Sequence, residues 1–164
     1  MKLIILDRDG VINQDSEEFI RSAGEWQPTP GSMDALARLT QSGWRIVVAS
    51  NQSGIARGLL DMAALNAIHA KMHKAVNQAG GRIDAVFFCP EGPDSRSAFR
   101  KPEPGMFLGI AERFNVSLRN LPAVGDKLTD LAAAAAVHAR RSLFTLLRWP
   151  DRRSLGSATR RNDP

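Results

Sequence analysis

The sequence predicts an α/β domain built on a mainly parallel sheet flanked by helices. Two observations carry that prediction. Short runs rich in Val, Ile and Leu alternate with segments whose apolar residues recur at helical spacing, and parallel neighbours need a crossover of that kind between them. Each apolar run also closes in a polar cluster, and sheets of this class gather ligand-binding residues beyond the carboxyl ends of their strands.

The first run, Lys2–Leu6, leads directly into Asp7-Arg8-Asp9-Gly10, where the glycine permits a turn. A loop through Pro28, Pro30 and Gly31 then reaches Ser32, read as the N-cap of a helix that carries Met33, Leu36 and Leu39, and Gly43 ends it. Trp44–Ala49 is the second strand, closed by the turn-rich cluster Ser50-Asn51-Gln52-Ser53-Gly54. Asp61 reads as the cap of the next helix, with Leu65, Ile68, Met72 and Val76 on one face, and Gly80-Gly81 stops it after about Gln78. Ala85–Cys89 is the third strand. Residues 90–104, rich in Pro, Gly and Ser, have no periodicity and precede a helix starting near Gly105. A short strand, Leu121–Val124, ends at Gly125-Asp126, and an alanine-rich helix follows from about Leu128. Ser142–Leu147 can supply one more strand.

At 164 residues and 43% hydrophobic content the chain fits one globular domain with a real core and has no room for a second. The lone Cys89 cannot form an internal disulfide, and the apolar run before Asp7 is too short for a signal peptide or a membrane span. A soluble cytoplasmic protein with no membrane partner is expected. The net charge of +5 lies in the tail, because residues 138–164 hold seven arginines against Asp151 and Asp163, which leaves 1–137 neutral. A neutral body without a basic stripe or interleaved aromatics argues against a nucleic-acid partner. The expected division is a domain over 1–147 and a basic, disordered tail over 148–164.

The polar clusters would meet on one rim: Asp7 and Asp9 after the first strand, Ser50 to Ser53 after the second, Arg100-Lys101 after the third, Asp126-Lys127 and Asp130 after the fourth. Two clustered carboxylates invite a hard divalent cation such as Mg²⁺, which keeps places for water and a phosphate. Hydrolysis of a phosphate monoester needs a nucleophile, a proton donor, a cation and donors on the transferring group, and this rim supplies each. An isolated Asp-x-Asp-Gly is common in ordinary turns, so the weight rests on the four clusters together. His69 and His73, one helical turn apart, have no third ligand in view and read as solvated or core-edge residues.

These motifs, in this order, resemble the haloacid dehalogenase superfamily of phosphatases. Leu-Asp7-Arg8-Asp9-Gly-Val-Ile-Asn13, Ser50-Asn-Gln-Ser-Gly-Ile-Ala-Arg-Gly58, Cys89-Pro, Arg100-Lys101-Pro-x-Pro-Gly-Met106 and Val124-Gly-Asp126-Lys127-Leu-x-Asp130 are similar to the D-glycero-D-manno-heptose 1,7-bisphosphate 7-phosphatases, from residue 3 to about 136. The histidinol-phosphate phosphatases share most of them and are the alternative. A catalytically impaired relative that binds a phosphosugar or a partner is a third reading.

The resemblance implies a Rossmann-like fold without a large cap domain and a monomeric enzyme acting on a small phosphorylated sugar. It implies Asp7 as nucleophile, Asp9 as acid and base, Ser50 as a hydrogen-bond donor to a phosphoryl oxygen and Lys101 as a charge on the transferring group. Asn51, Gln52, Ser53, Arg100 and Lys127 would read the substrate. Mg²⁺ would be bound by the Asp7 carboxylate, the Asp9 backbone carbonyl and Asp126, with Asp130 orienting Lys101 or a water. Relatives often hold a structural zinc through Cys-x-His and Cys-x-Cys in the loop after the third strand. Here only Cys89 of those four ligands remains, with Glu91, Ser97 and Phe99 at the other places, so zinc is not expected and the loop would be ordered by packing of Phe99 and its prolines. The chain also departs from relatives after the alanine run, from His138 onward.

Overall fold

Side chains alternate along residues 2–6, and that alternation divides the molecule into layers. Ile4 and Leu6 belong to one core, Leu3 and Ile5 to another. A strand buried on both faces demands helices on both sides. The computed structural model, which describes residues 1–144, has that three-layer arrangement. Its elements in chain order are β1 (Lys2–Leu6), α1 (Ser32–Gln41), β2 (Trp44–Asn51), α2 (Met62–Gln78), β3 (Ala85–Cys89), α3 (Gly105–Phe114), β4 (Pro122–Gly125), α4 (Leu128–Ala136) and β5 (Arg140–Leu143). All five strands pair in parallel, in the order β3-β2-β1-β4-β5.

Helices α1 and α2 cover one face: Leu36, Leu65, Ile68, Met72 and Val76 pack with Ile4, Leu6, Ile46 and Val48. On the other face Phe107 and Ile110 of α3 and Ala133 and Ala134 of α4 meet Leu3, Ile5, Val47 and Ala123. The small alanines of α4 let that helix approach the sheet closely. No helix of the described residues is long and apolar enough to cross a membrane.

The four strands and four helices read from the sequence are all present, with differences at their ends. The α2 cap is as read, since the Asp61 carboxylate accepts a hydrogen bond from the Ala64 amide at 2.7 Å. At α1 the cap position is Gly31 in the left-handed region, not Ser32. The Ser32 hydroxyl donates instead to the carbonyls of Ile12 and Thr29, both at 2.8 Å, and so ties the helix start to the loop after β1. Strand β2 runs two residues past Ala49, because β3 offers partners for Ser50 and Asn51 in Phe88 and Cys89. Strand β4 begins and ends one residue later than read. A fifth strand is described over 140–143, beginning two residues before the one read at 142–147 and exposed at all four positions; residues 145–147, the boundary at 147 and the basic tail lie outside the described residues.

The long connection between β1 and α1 is anchored from α2. Lys71 donates through Nζ to the carbonyls of Ala23 and Trp26, at 2.7 and 2.8 Å, and lies over the ring of the buried Trp26.

Candidate active site

The site forms where the sheet order reverses. From β1 the chain proceeds outward through β2 and β3, then returns to place β4 on the other side of β1, so the carboxyl ends of β1 and β4 open a crevice between diverging connections. The Asp7 amide continues the β1–β4 pairing by donating to the Val124 carbonyl at 2.9 Å. Alternation carried past Leu6 sends Asp7 toward the α3/α4 face and Arg8 toward α2.

Asp7 is buried at 7% exposure. Its Oδ1 accepts from the Arg8 amide at 2.7 Å and lies 3.1 Å from Lys101 Nζ. Burial pushes its carboxyl up to about 6, with Asp130 and Asp9 adding to the rise and Lys101 opposing it. Lys101, 3% exposed, is also paired with Asp130 and donates to the Ala49 carbonyl at 2.7 Å. Burial alone would lower its pKa, but the two carboxylates outweigh that and hold it above the ordinary value, so the ammonium stays charged. Asn51 fixes its backbone: the side-chain amide donates to the Lys101 carbonyl at 2.9 Å and accepts from the Lys101 amide at 3.0 Å.

Asp126 stands at the end of β4, and Gly10 makes room for it. Gly10 runs at φ +81°, and a β-carbon there would collide with the Asp126 carboxylate. Oδ1 of Asp126 is buried with no hydrogen-bond partner among the described residues, and burial raises its pKa despite the nearby Lys127. Ligand oxygens of Asp7, Asp126 and Asp130 lie within 4.8 Å of one another. An orphaned buried oxygen among carboxylates fits a hard oxygen-seeking cation such as Mg²⁺. In the loop after β3, Glu91, Ser97 and Phe99 stand where a structural zinc site of four N or S ligands would need His and Cys. Cys89 is the chain's single cysteine, and its Sγ lies 4.0 Å from Ser97 Oγ.

That loop is held by hydrogen bonds rather than by Phe99, which is 55% exposed. Arg100 Nη1 donates to the Glu91 carbonyl at 2.9 Å, and the Gly105 amide to that of Ala98 at 2.8 Å. Arg100 and Lys101 line a cleft of about 550 Å³ with Pro93, Arg96, Glu103 and Thr129. Lys127 reaches back to Asp15 at 2.9 Å. The Asp130 carboxylate accepts from the Lys127 amide at 2.9 Å, so one residue joins the start of α4 to Lys101.

A second network surrounds Asp9. Its Oδ1 accepts from Asn13 Nδ2 at 2.9 Å and from Arg8 Nε at 3.0 Å; its Oδ2 accepts from Gln52 Nε2 at 2.9 Å and Arg8 Nη2 at 3.0 Å. Arg8 and these donors outweigh burial and hold the Asp9 carboxyl below its ordinary value. Gln52 also donates to Ser50 Oγ at 2.8 Å. Ser50, Gln52 and Ser53 are all buried.

The structure thus brings Asp7, Asp9, Ser50, Lys101, Asp126 and Asp130 together, directly or through one intermediary. It puts the amides of Asn51 and Gln52 to use inside the protein and ties Arg100 and Lys127 to neighbouring loops. Sequence reasoning passed over Arg8 and Asn13. Strand alternation offered a signal for Arg8: an arginine aimed at an apolar face must find a buried counter-charge.

Comparison with known proteins gives the chain a family and a fold. Residues 3–138 match the model of the haloacid dehalogenase-like hydrolases. The chain is 62% identical over 135 residues to a D-glycero-beta-D-manno-heptose-1,7-bisphosphate 7-phosphatase of Bordetella bronchiseptica, covering 82% of this chain and 75% of the relative. Identity to the Pseudomonas aeruginosa enzyme of that name is 50% over 135 residues, covering 82% and 76%. A crystal structure of the B. bronchiseptica heptose bisphosphate phosphatase, complexed with magnesium and phosphate, superposes with a TM-score of 0.86 at 59% identity, over 87% of this chain and 80% of that one. A parallel five-stranded sheet, carboxylates gathered at its switch point and a match over residues 3–138 lead to one conclusion: the chain belongs to the haloacid dehalogenase-like hydrolases.

Proposed function

We propose that this hydrolase removes the 7-phosphate of D-glycero-β-D-manno-heptose 1,7-bisphosphate, through a phosphoryl group carried on Asp7. The observation that carries the reading is the Asp7 carboxylate, buried against Lys101 within ligand distance of Asp126 and Asp130, in a chain 62% identical to a relative of that activity. In the first step an Asp7 oxygen attacks phosphorus and the bond from phosphorus to the sugar oxygen breaks; Asp9, which rests ionised, takes up a proton from solvent as the substrate displaces one of its hydrogen-bond donors, and gives that proton to the leaving oxygen. In the second, water attacks the same phosphorus, Asp9 takes its proton, and the bond to Asp7 breaks to release orthophosphate.

Ser50 and Lys101 supply a hydroxyl and a positive charge to the transferring group, which develops no favourable contacts with a bare carboxylate. Asn51 and Asp130 serve by holding Lys101, from its backbone and from its ammonium. Arg100 and Lys127 stand at the rim, where an anionic second phosphate or sugar hydroxyls would lie. The residues suited to Mg²⁺ are Asp7 and Asp126 through carboxylates and Asp9 through its carbonyl; bound there, the cation offsets the repulsion between carboxylate and phosphate.

The test is phosphate release from heptose 1,7-bisphosphate by the purified chain with Mg²⁺. Asp7→Asn keeps the shape and removes the nucleophile, so turnover is expected to fall by at least about 10³-fold. Equal release by the variant, or a preference for histidinol phosphate over the heptose ester, refutes the proposal.

A further inference from the structure

Arg8 stands between the two aspartates of the motif and has no step in the proposed chemistry, yet it is wholly buried at 0% exposure. All three of its nitrogens are engaged. Nε and Nη2 form a fork onto the two oxygens of Asp9, Nη2 also donates to Gln52 Oε1 at 3.1 Å, and Nη1 faces His69 Nε2 of α2 at 3.4 Å. A fork fixes the plane of a carboxylate, whereas a single hydrogen bond leaves it free to turn. We propose that Arg8 is a positioning residue that sets the Asp9 carboxylate for proton transfer, and that Gln52 and His69 hold Arg8 in turn. The assignment rests on the phosphatase reading above.

Asp9 needs such a device. It lies beyond the end of β1, where only an isolated bridge to Asn13 replaces the regular ladder, and both steps require its carboxylate at one place. The four donors on it fill the roughly four lone-pair sites a carboxylate offers. A leaving oxygen therefore reaches Asp9 by taking the place of one donor. The fork is held from both sides and Gln52 is part of what holds it, so Asn13 is the exchangeable partner and Arg8 the fixed one. Gln52 adds a second tie, since its amide bonds Asp9 and Ser50 at once. The proton-transfer group and the hydroxyl that bonds the phosphoryl oxygens thus share one frame spanning the ends of β1 and β2 and the middle of α2.

Alanine at position 8 would leave the Asp9 charge uncompensated and risks the fold, so Arg8→Lys and the half-buried His69→Gln carry the test, beside wild type and Asp9→Asn. Each full-length protein is assayed with Mg²⁺ on heptose 1,7-bisphosphate and on p-nitrophenyl phosphate. Nitrophenolate leaves without a proton, so the first step on that ester does not need Asp9, while hydrolysis of the phosphorylated Asp7 still does. Arg8→Lys is expected to lower kcat on the sugar by about 10²-fold with KM changed less than about threefold. On the aryl ester it should give a burst near about one equivalent of nitrophenolate and then slow turnover, as in Asp9→Asn. His69→Gln should move the same way by about three- to tenfold, and decides the matter if Arg8→Lys does not fold by circular dichroism. Losses equal on both esters without a burst, or an unchanged kcat, overturn the assignment. A wild type that turns over neither ester overturns the phosphatase reading and this assignment with it.

Discussion

Gly10 is the residue on which the cation ligands depend most closely. Its φ of +81° is costly for any L side chain, and the volume of a β-carbon is already taken by the Asp126 carboxylate. Gly10→Ala is expected to lose about 1–2 kcal/mol from backbone strain, read as a fall in the urea midpoint. By displacing Asp126 it should also weaken Mg²⁺ binding more than about tenfold in calorimetric titration; unchanged affinity would show that strain alone is at work. At this scale the sequence was legible where chemistry follows directly from a strand end. Asp7 and Asp126 immediately follow strands and Ser50 is the last residue but one of β2, so local pattern alone locates them. It was not legible where a side chain's partner lies far along the chain. Nothing near Asn51 discloses that its amide grips Lys101, and nothing near Gln52 discloses Arg8, 44 residues away. The deep burial of Arg8 follows from the same long-range contact.

Helix α2 was the most fully legible element, because a cap, a four-residue apolar face and a glycine stop all agreed, and each of the four is 0% exposed. The α1 cap was misread for a physical reason: a serine hydroxyl can serve other carbonyls, and a neighbouring glycine can supply the turn unaided. His69 shows α2 acting beyond packing. Its ring meets Phe88 edge-on, faces Arg8 and sits near His73 and Asp9, and burial together with Arg8 and His73 pushes its pKa down to about 4. An imidazole depressed from 6.5 to about 4 binds its proton more readily when unfolded. The stability linked to His69 is therefore present above pH 6.5 and is lost as pH falls toward about 4. Asp7 works in the opposite direction over a similar window, so the measurement is a difference. The stability gap between wild type and His69→Gln, from denaturant curves without divalent cation, should shift against the wild type as pH drops from 7 to 4. A gap independent of pH would contradict it.

In the whole molecule, the two sides of the sheet meet at β1 and β4, where the ladder registers only Ile5 with Ala123 and Leu6 with Val124 before Asp7 closes it. The pair β1–β2 is registered over five residues by comparison, so the β1–β4 seam is the shorter join. The carboxylates suited to Mg²⁺ come from opposite sides of that seam, Asp7 beyond β1 and Asp126 beyond β4. Bound there, a cation would act as a staple across the sheet as well as a reagent. Loading the protein with Mg²⁺ is expected to raise its melting temperature, by about 2.7 kcal/mol of added stability at a hundredfold excess over Kd. It should also slow amide hydrogen exchange at Asp7 more than at Val48, deep within β2; uniform slowing would deny the seam any special part. If so, the catalytic ion sets the order in which this sheet comes apart, and a cell short of magnesium would hold a protein that opens along its own active site before it unfolds anywhere else.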